Sequence, residues 1–214
     1  MDVELLTSPA SIEDMEKFAA IGALTCRGNA DKKFVSADVL KRIIKAGHES
    51  ILEHINLTYS IKGISRALLQ ELSRHRHISL SVESTRHTVR KRLDELDAWN
   101  PPLVDESVWF DIPYKTLDGI KGYFITDYLD FLKSEEFRGH PNDALKYLIP
   151  EFWPVNLVLT SNVRELRHIL NLRIAPAALK EFRDLARAMY EAVPEQYKYL
   201  LKDCVHDEAD NNTH

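Results

Sequence analysis

Two segments of this chain alternate apolar and polar residues, and a helical pattern follows each of them. In "HINLTYSIKG" the residues Ile55, Leu57, Tyr59 and Ile61 fall on every second position, the period of a half-buried strand. The next segment, about Ile64 to Arg76, gathers Ile64, Leu68, Leu72 and His75 on one helical face. Far along the chain, Val155, Leu157 and Leu159 alternate in "PVNLVLTSN", and Asn162 is placed to cap a helix over "VRELRHILNLRI". Further helices are expected. Ser11 with Asp14 resembles a capping box before "IEDMEKFAAIGALTC". Ser36 opens "ADVLKRIIKAGH", with Gly47 suited to a left-handed cap. Helical patterns also run through "DGIKGYFITDYLDFLKS" and "NDALKYLIP", and Pro176 suits the first turn of "AALKEFRDLARAMYEAV". The class is α/β or α+β, with more helix than strand.

Charge in this chain is segregated. Its formal net charge is -5, yet "RHRHISLSVESTRH" (Arg74 to His87) packs three arginines and three histidines around one glutamate, and "RKR" follows at Arg90 to Arg92. A local cationic loop in an acidic body suits small anionic ligands, because potential is focused on one cleft. The rival reading is a nucleic-acid-binding module using Arg74 to Arg92. Mild overall acidity and the lack of interleaved aromatics count against it.

Other chemistries find little support. The cysteines, Cys26 and Cys204, form no CxxC pair and read as reduced thiols of a cytoplasmic protein. The N-terminus lacks the basic and apolar regions of a signal peptide, and no apolar run is long enough to cross a bilayer. "HRH" at 75–77 with His87 has no zinc spacing, and adjacent arginines disfavour a cation, so no metal is expected. Ser79, Ser81 and Ser84 lack a GxSxG context, and there is no GxGxxG or P-loop.

Two features point to anion chemistry. Arg74 and Arg76 flank the end of a helix and repel one another unless an anion lies between them. On the second helix, Arg173 shares the apolar face with Leu166, Ile169, Leu170 and Asn162, while Arg164, Arg167 and His168 lie elsewhere as a solvated or ligand-facing surface. An apolar-face arginine is rarely buried without a partner. Pattern alone leaves two readings of it, a structural ion pair or a charge aimed into a ligand cavity.

These residues resemble the flavin-dependent thymidylate synthases. Arg74, His75 and Arg76, seven residues and then Ser84 match that family's RHR-x7-S signature. "GHESILEH" (Gly47 to His54), "SRALLQELSRHRH" and "SNVRELRHILNLR" (Ser161 to Arg173) match its other segments in order. The resemblance implies helices around a central, largely antiparallel sheet, in one domain over 1–206 with a polar tail at 207–214. It implies a homotetramer that binds neither nucleic acid nor membrane. It implies methylation of dUMP to dTMP, with FAD as cofactor, NADPH as reductant, 5,10-methylenetetrahydrofolate as carbon donor and no cysteine nucleophile.

Carried over position by position, the resemblance places Ser50, Glu53, Arg74, His75, Arg76, Asn162, Val163, Arg164 and His168 along the flavin. It places Glu71, Arg74, Ser84, Thr85, Arg86, Lys146 and Arg173 at dUMP, with Arg173 activating the uracil ring. Lys146 stands where many members have arginine, Val82 where many have an acidic or amide residue, and His87 where tyrosine is usual. A histidine often found shortly after the catalytic arginine is absent from "RIAPA".

Overall fold

Strand β1 (Asp2–Leu5) opens the chain, followed by helices α1 (Pro9–Thr25) and α2 (Ala37–Lys45) and a 3-10 turn (Glu49–His54). Then come β2 (Asn56–Ser65), α3 (Arg66–Leu72), β3 (Ile78–Val82) and α4 (Thr85–Ala98). Two short helices, α5 (Glu135–Arg138) and α6 (Asn142–Leu145), precede β4 (Pro154–Asn162), α7 (Val163–Arg173) and α8 (Lys180–Glu191). Two 3-10 turns, Glu195–Leu200 and Lys202–Cys204, follow. This computed structural model describes residues 1–29, 37–98, 130–131, 134–149, 151 and 153–205. Ser36, most of "DGIKGYFITDYLDFLKS" and the expected polar tail lie outside the described residues.

The described chain forms two compact units, one from Met1–Val82 with the segment from Pro154 onward, the other Glu83–Trp153. The first is built on a four-stranded sheet of order β1-β2-β4-β3, antiparallel at every pairing. The alternation in the sequence becomes its two faces. Leu57, Tyr59 and Ile61 of β2 stand opposite Ser161, Leu159 and Leu157 of β4, and all are buried. The opposite face is polar at Thr58 and Thr160, whose hydroxyls meet at 3.0 Å. Such a sheet buries one face and leaves the other to solvent.

Near its end β2 slips register between Ile61 and Ile64, which returns Ile64 to the buried face opposite Val155. Gly63 makes this bulge possible, with φ at +71° and its N–H donated to Asn156 Oδ1. The core is completed by Ile12 and Ala19 of α1, Leu166, Ile169 and Leu170 of α7, and Phe182, Leu185 and Met189 of α8. Each such leucine, isoleucine or phenylalanine contributes roughly 1.5–3 kcal/mol through burial.

In the second unit α4 and α6 are joined by polar contacts. Arg86 donates through Nε and Nη2 to the two carboxylate oxygens of Asp143, and Asn142 Nδ2 donates to the Arg86 carbonyl at 2.7 Å. Arg90 donates to the carbonyls of Arg138 and His140. Val89, Phe137 and Leu145 are buried.

Several boundaries differ from the sequence-based expectations. Helix α1 starts one turn earlier, because Ser8 and not Ser11 is the cap, accepting from the Ser11 N–H. Helix α3 is shorter than Ile64–Arg76, since Ile64 stays in the strand and Ser65 caps the helix. Pro176 does not open α8, which begins four residues later at Lys180. Gly47, Asn162 and the β4–α7 junction are as expected: Gly47 has φ of +73°, and Asn162 Oδ1 accepts from Glu165 N at 2.8 Å.

Candidate active site

Two strand-to-helix corners of the first unit bring its charged residues together. At one, β2 passes into α3 at Ser65, whose hydroxyl caps Leu68 N and donates to Glu181 of α8. Helix α3 stops at Leu72, so Arg74, His75 and Arg76 occupy the turn before β3 and not a helix end. In that turn the side chains diverge: Arg74 and Arg76 are exposed, while His75 is buried. At the other corner β4 passes into α7 at Asn162, which leaves Glu165 in the first helical turn and Arg173 in the last.

His75 connects the corners. Its Nδ1 lies 3.1 Å from Glu165 Oε1, and its Nε2 accepts from Arg173 Nε at 3.1 Å. Arg173 also donates through Nη1 to Glu71 Oε2 at 3.0 Å, and its guanidinium lies 4.5 Å from the centre of the Phe182 ring. Glu71 in turn pairs with Arg74 at 3.7 Å. Five N–H bonds leave a guanidinium; His75 and Glu71 take one each, and the remaining three have no partner among the described residues. The Phe182 face supports a cation by its ring quadrupole. Arg173 is thus a fixed charge with donors in reserve. Of the two sequence readings, the ion pair is present, with the Glu71 carboxylate as partner.

Electrostatics keep His75 uncharged near neutral pH. Burial lowers its pKa from 6.5, and the Arg173 charge lowers it further against the opposing pull of Glu165. His75, Glu165 and His168 also place three possible metal-ligand atoms within 4.8 Å of one another. Both His75 nitrogens are already engaged, and a guanidinium at 3.1 Å repels a cation. In this arrangement His75 and Glu165 are bonded to each other and His75 to Arg173, and His168 adds a ring contact with His75.

The other site candidates divide between the units. Ser50 and Glu53 are exposed on the 3-10 turn, and Glu53 pairs with exposed Arg164 at 2.5 Å. His168 is exposed, with its ring 5.8 Å from that of His75, and Val163 is buried at the start of α7. Ser84, Thr85, Arg86 and Lys146 belong to the second unit. There Thr85 is buried, Ser84 and Lys146 are exposed, and Arg86 is bound by Asp143.

One sequence reading is corrected. Arg167 is not part of a solvated surface: it is 4 % exposed. It donates to Glu49, to both Asp203 oxygens and to the Leu200 carbonyl. Glu165 and Phe182 were missed as site residues. Glu165, three positions after Asn162, carries the signature of a helix start, and that signal hides its second role. Among the cysteines, Cys26 is exposed, and Cys204 is buried with its thiol pushed up to about 11 by burial. Burial thus disfavours the thiolate at Cys204.

Comparison with known proteins decides the family. The profile of the thymidylate synthase complementing protein family matches residues 7–197. The chain belongs to that family. A relative from Campylobacter jejuni, named flavin-dependent thymidylate synthase, is 35 % identical over 188 residues, 86 % of either chain. A relative of the same name from Helicobacter pylori is 36 % identical over 171 residues, 74 % of this chain and 76 % of its own. The fold matches a crystal structure of Helicobacter pylori thymidylate synthase X with FAD and dUMP. That match has a TM-score of 0.76 and 31 % identity, covering 97 % of this chain and all of the other. The family thus includes relatives solved with a flavin and a uracil nucleotide, and the expected mixed helical and antiparallel architecture is the one observed. No helix among the described residues is long and apolar enough to cross a membrane.

Proposed function

We propose that this chain is a flavin-dependent thymidylate synthase that methylates dUMP to dTMP, with 5,10-methylenetetrahydrofolate as carbon donor and NADPH as reductant through FAD. The observation that carries the reading is Arg173, held by His75, Glu71 and Phe182 with N–H bonds in reserve, in a chain whose relatives of 31–36 % identity carry that name. Bound FAD would supply the redox chemistry that brings the transferred carbon to the methyl level.

The residues present fit an anionic flavin nucleotide. Arg74 keeps 75 % of its side chain exposed despite the Glu71 contact, and Arg76 is exposed beside it. Guanidinium forks match diphosphate oxygens. In this reading Arg74, His75, Arg76, Ser50, Glu53, Asn162, Val163, Arg164 and His168 hold the flavin. Glu71, Arg74, Ser84, Thr85, Arg86 and Lys146 hold dUMP with Arg173. Arg173 directs its free donors at the uracil oxygens and N3, and stabilises the negative charge that makes C5 nucleophilic. Preorganised donors of this kind stabilise charge as it develops, and cost no reorganisation at the moment of reaction. Burial and the Arg173 charge lower the His75 pKa, which favours the neutral imidazole that accepts from Arg173 over the imidazolium.

The reading extends to a cytoplasmic homotetramer acting on small molecules and not on nucleic acid or membrane, with its domain over 1–206. Partial neutralisation of the basic stretch counts against a nucleic-acid surface there, since Arg86 and Arg90 are engaged by Asp143 and by backbone carbonyls. The test is tritium release from dUMP labelled at C5. Release that needs FAD, NADPH and methylenetetrahydrofolate together is expected. A protein that holds flavin but releases no tritium under those conditions would overturn the proposal.

A further inference from the structure

We infer that Glu165 is a positioning residue: it fixes the hydrogen-bonding form of His75 and, through His75, the aim of Arg173. The inference rests on the proposed role of Arg173 for its catalytic consequence, and on geometry alone for its structural one.

The argument begins with the arginine. A guanidinium has no acceptor and stays protonated, so Arg173 Nε can only donate to His75 Nε2. That nitrogen must carry a lone pair, and a neutral imidazole then has its proton on Nδ1. The Nδ1 proton faces Glu165 Oε1 at 3.1 Å. The opposite tautomer would set N–H against N–H at Arg173 and lone pair against carboxylate at Glu165. Both contacts select the same form, and neither survives in the other one.

Three further features show that Glu165 is built for this contact. It is 8 % exposed and His75 is 6 % exposed, so water is a poor substitute for either partner. Its backbone N–H is fixed by Asn162 Oδ1 at 2.8 Å, which sets the position of the carboxylate on the first turn of α7. Its side chain meets His75 instead of turning back on the cap. The same helix therefore carries Arg173 on its last turn and the group that orients its imidazole acceptor on its first.

The test is nitrogen-15 NMR of the imidazoles in the whole protein with FAD added, with His75 assigned by the signals lost in His75→Asn. The parent is expected to show the Nδ1–H tautomer. An Nε2–H tautomer in the parent would overturn the inference without any variant. Glu165→Ala removes one of the two contacts that select this form and leaves only Arg173, so the Nε2–H form should become populated beside the parent form and kcat should fall, with flavin absorbance per chain unchanged. Displacing a reacting group by about 1 Å costs on the order of 10²-fold. Glu165→Gln keeps an acceptor oxygen and should hold the parent tautomer and turn over within several-fold of it. A Glu165→Ala protein that keeps the parent tautomer, or matches the parent kcat, refutes the role. If the parent itself releases no tritium from dUMP, the proposed function fails, while the tautomer of His75 still decides the part played by Glu165.

Discussion

Replacing Arg167 with methionine tests the strongest correction to the sequence reading. The substitution removes the donors to Glu49, Asp203 and the Leu200 carbonyl from a site only 4 % exposed. Two effects oppose each other. Methionine ends the cost of keeping a charge out of water, a cost of several kcal/mol. Against that, the Leu200 carbonyl loses its donor at a buried residue, which costs about 1–3 kcal/mol. The two carboxylates lose Arg167 as well, but the Asp203 side chain is 58 % and the Glu49 side chain 34 % exposed, so both can rehydrate. The desolvation cost that methionine ends and the attraction to Asp203 and Glu49 that it forfeits largely cancel, so the balance is the loss at the Leu200 carbonyl, about 2 kcal/mol, below the ~3–5 kcal/mol seen when a fully buried pair is broken. For a domain of this size that lowers Tm by about 4–8 °C. Thermal unfolding at matched protein and FAD concentrations measures it. A Tm equal to or above that of the parent would show that a hydrophobic side chain replaces the network without loss, and the reasoning would fail.

Other outcomes can be checked in parallel. Arg173→Ala should retain flavin absorbance and lose ~3 kcal/mol of transition-state stabilisation, about 10²-fold in kcat; turnover near that of the parent would remove Arg173 from the mechanism. Glu16 has its pKa raised above 4.5, chiefly by burial and against the Tyr199 hydrogen bond. The folded state then binds the proton more tightly than the unfolded one, so stability falls as pH rises from 4.5 through the folded pKa. Glu16→Gln should erase that loss and be at least as stable as the parent at pH 7, with denaturant melts across pH as the assay. Gly63→Ala places a side chain at φ of +71° in ordinary van der Waals contact with the Met1 backbone at 3.8 Å, so its cost is conformational, about 1–2 kcal/mol. A melt unchanged from that of the parent would remove the bulge from the account.

The legible parts of this fold were those whose side chains keep one period. β2, β4 and α7 were readable because Leu57, Tyr59, Leu157 and Leu159 alternate and because Asn162 sits at the corner. β3 escaped notice although Ile78, Leu80 and Val82 alternate, since the arginines and serines around them dominated the pattern. β1 is not legible because four residues are too few to establish a period, although Val3 and Leu5 alternate with Asp2 and Glu4. Arg173 could be singled out by a helical wheel, as an arginine on an apolar face. Its partners could not, because Glu71 and His75 come from a corner about a hundred residues earlier. The wheel misplaced Arg167 for a related reason. Asp203 and Leu200 cover that side of α7 from the two 3-10 turns after α8, and no wheel contains them.

The place of β4 in the sheet has a consequence for the newborn chain. β4 lies between β2 and β3, yet the whole of Glu83–Trp153 is synthesised before it. Roughly 70 residues at ~5–20 residues/s take about 4–14 s. Through that interval β2 has only β1 beside it and β3 has no neighbour in this sheet, so edges that will end up internal are open to other chains. The same delay sets a limit on truncation. A fragment ending at Trp153 contains Arg74, His75 and Arg76, but lacks the strand that joins their side of the sheet to β2 and the helix that carries Arg173.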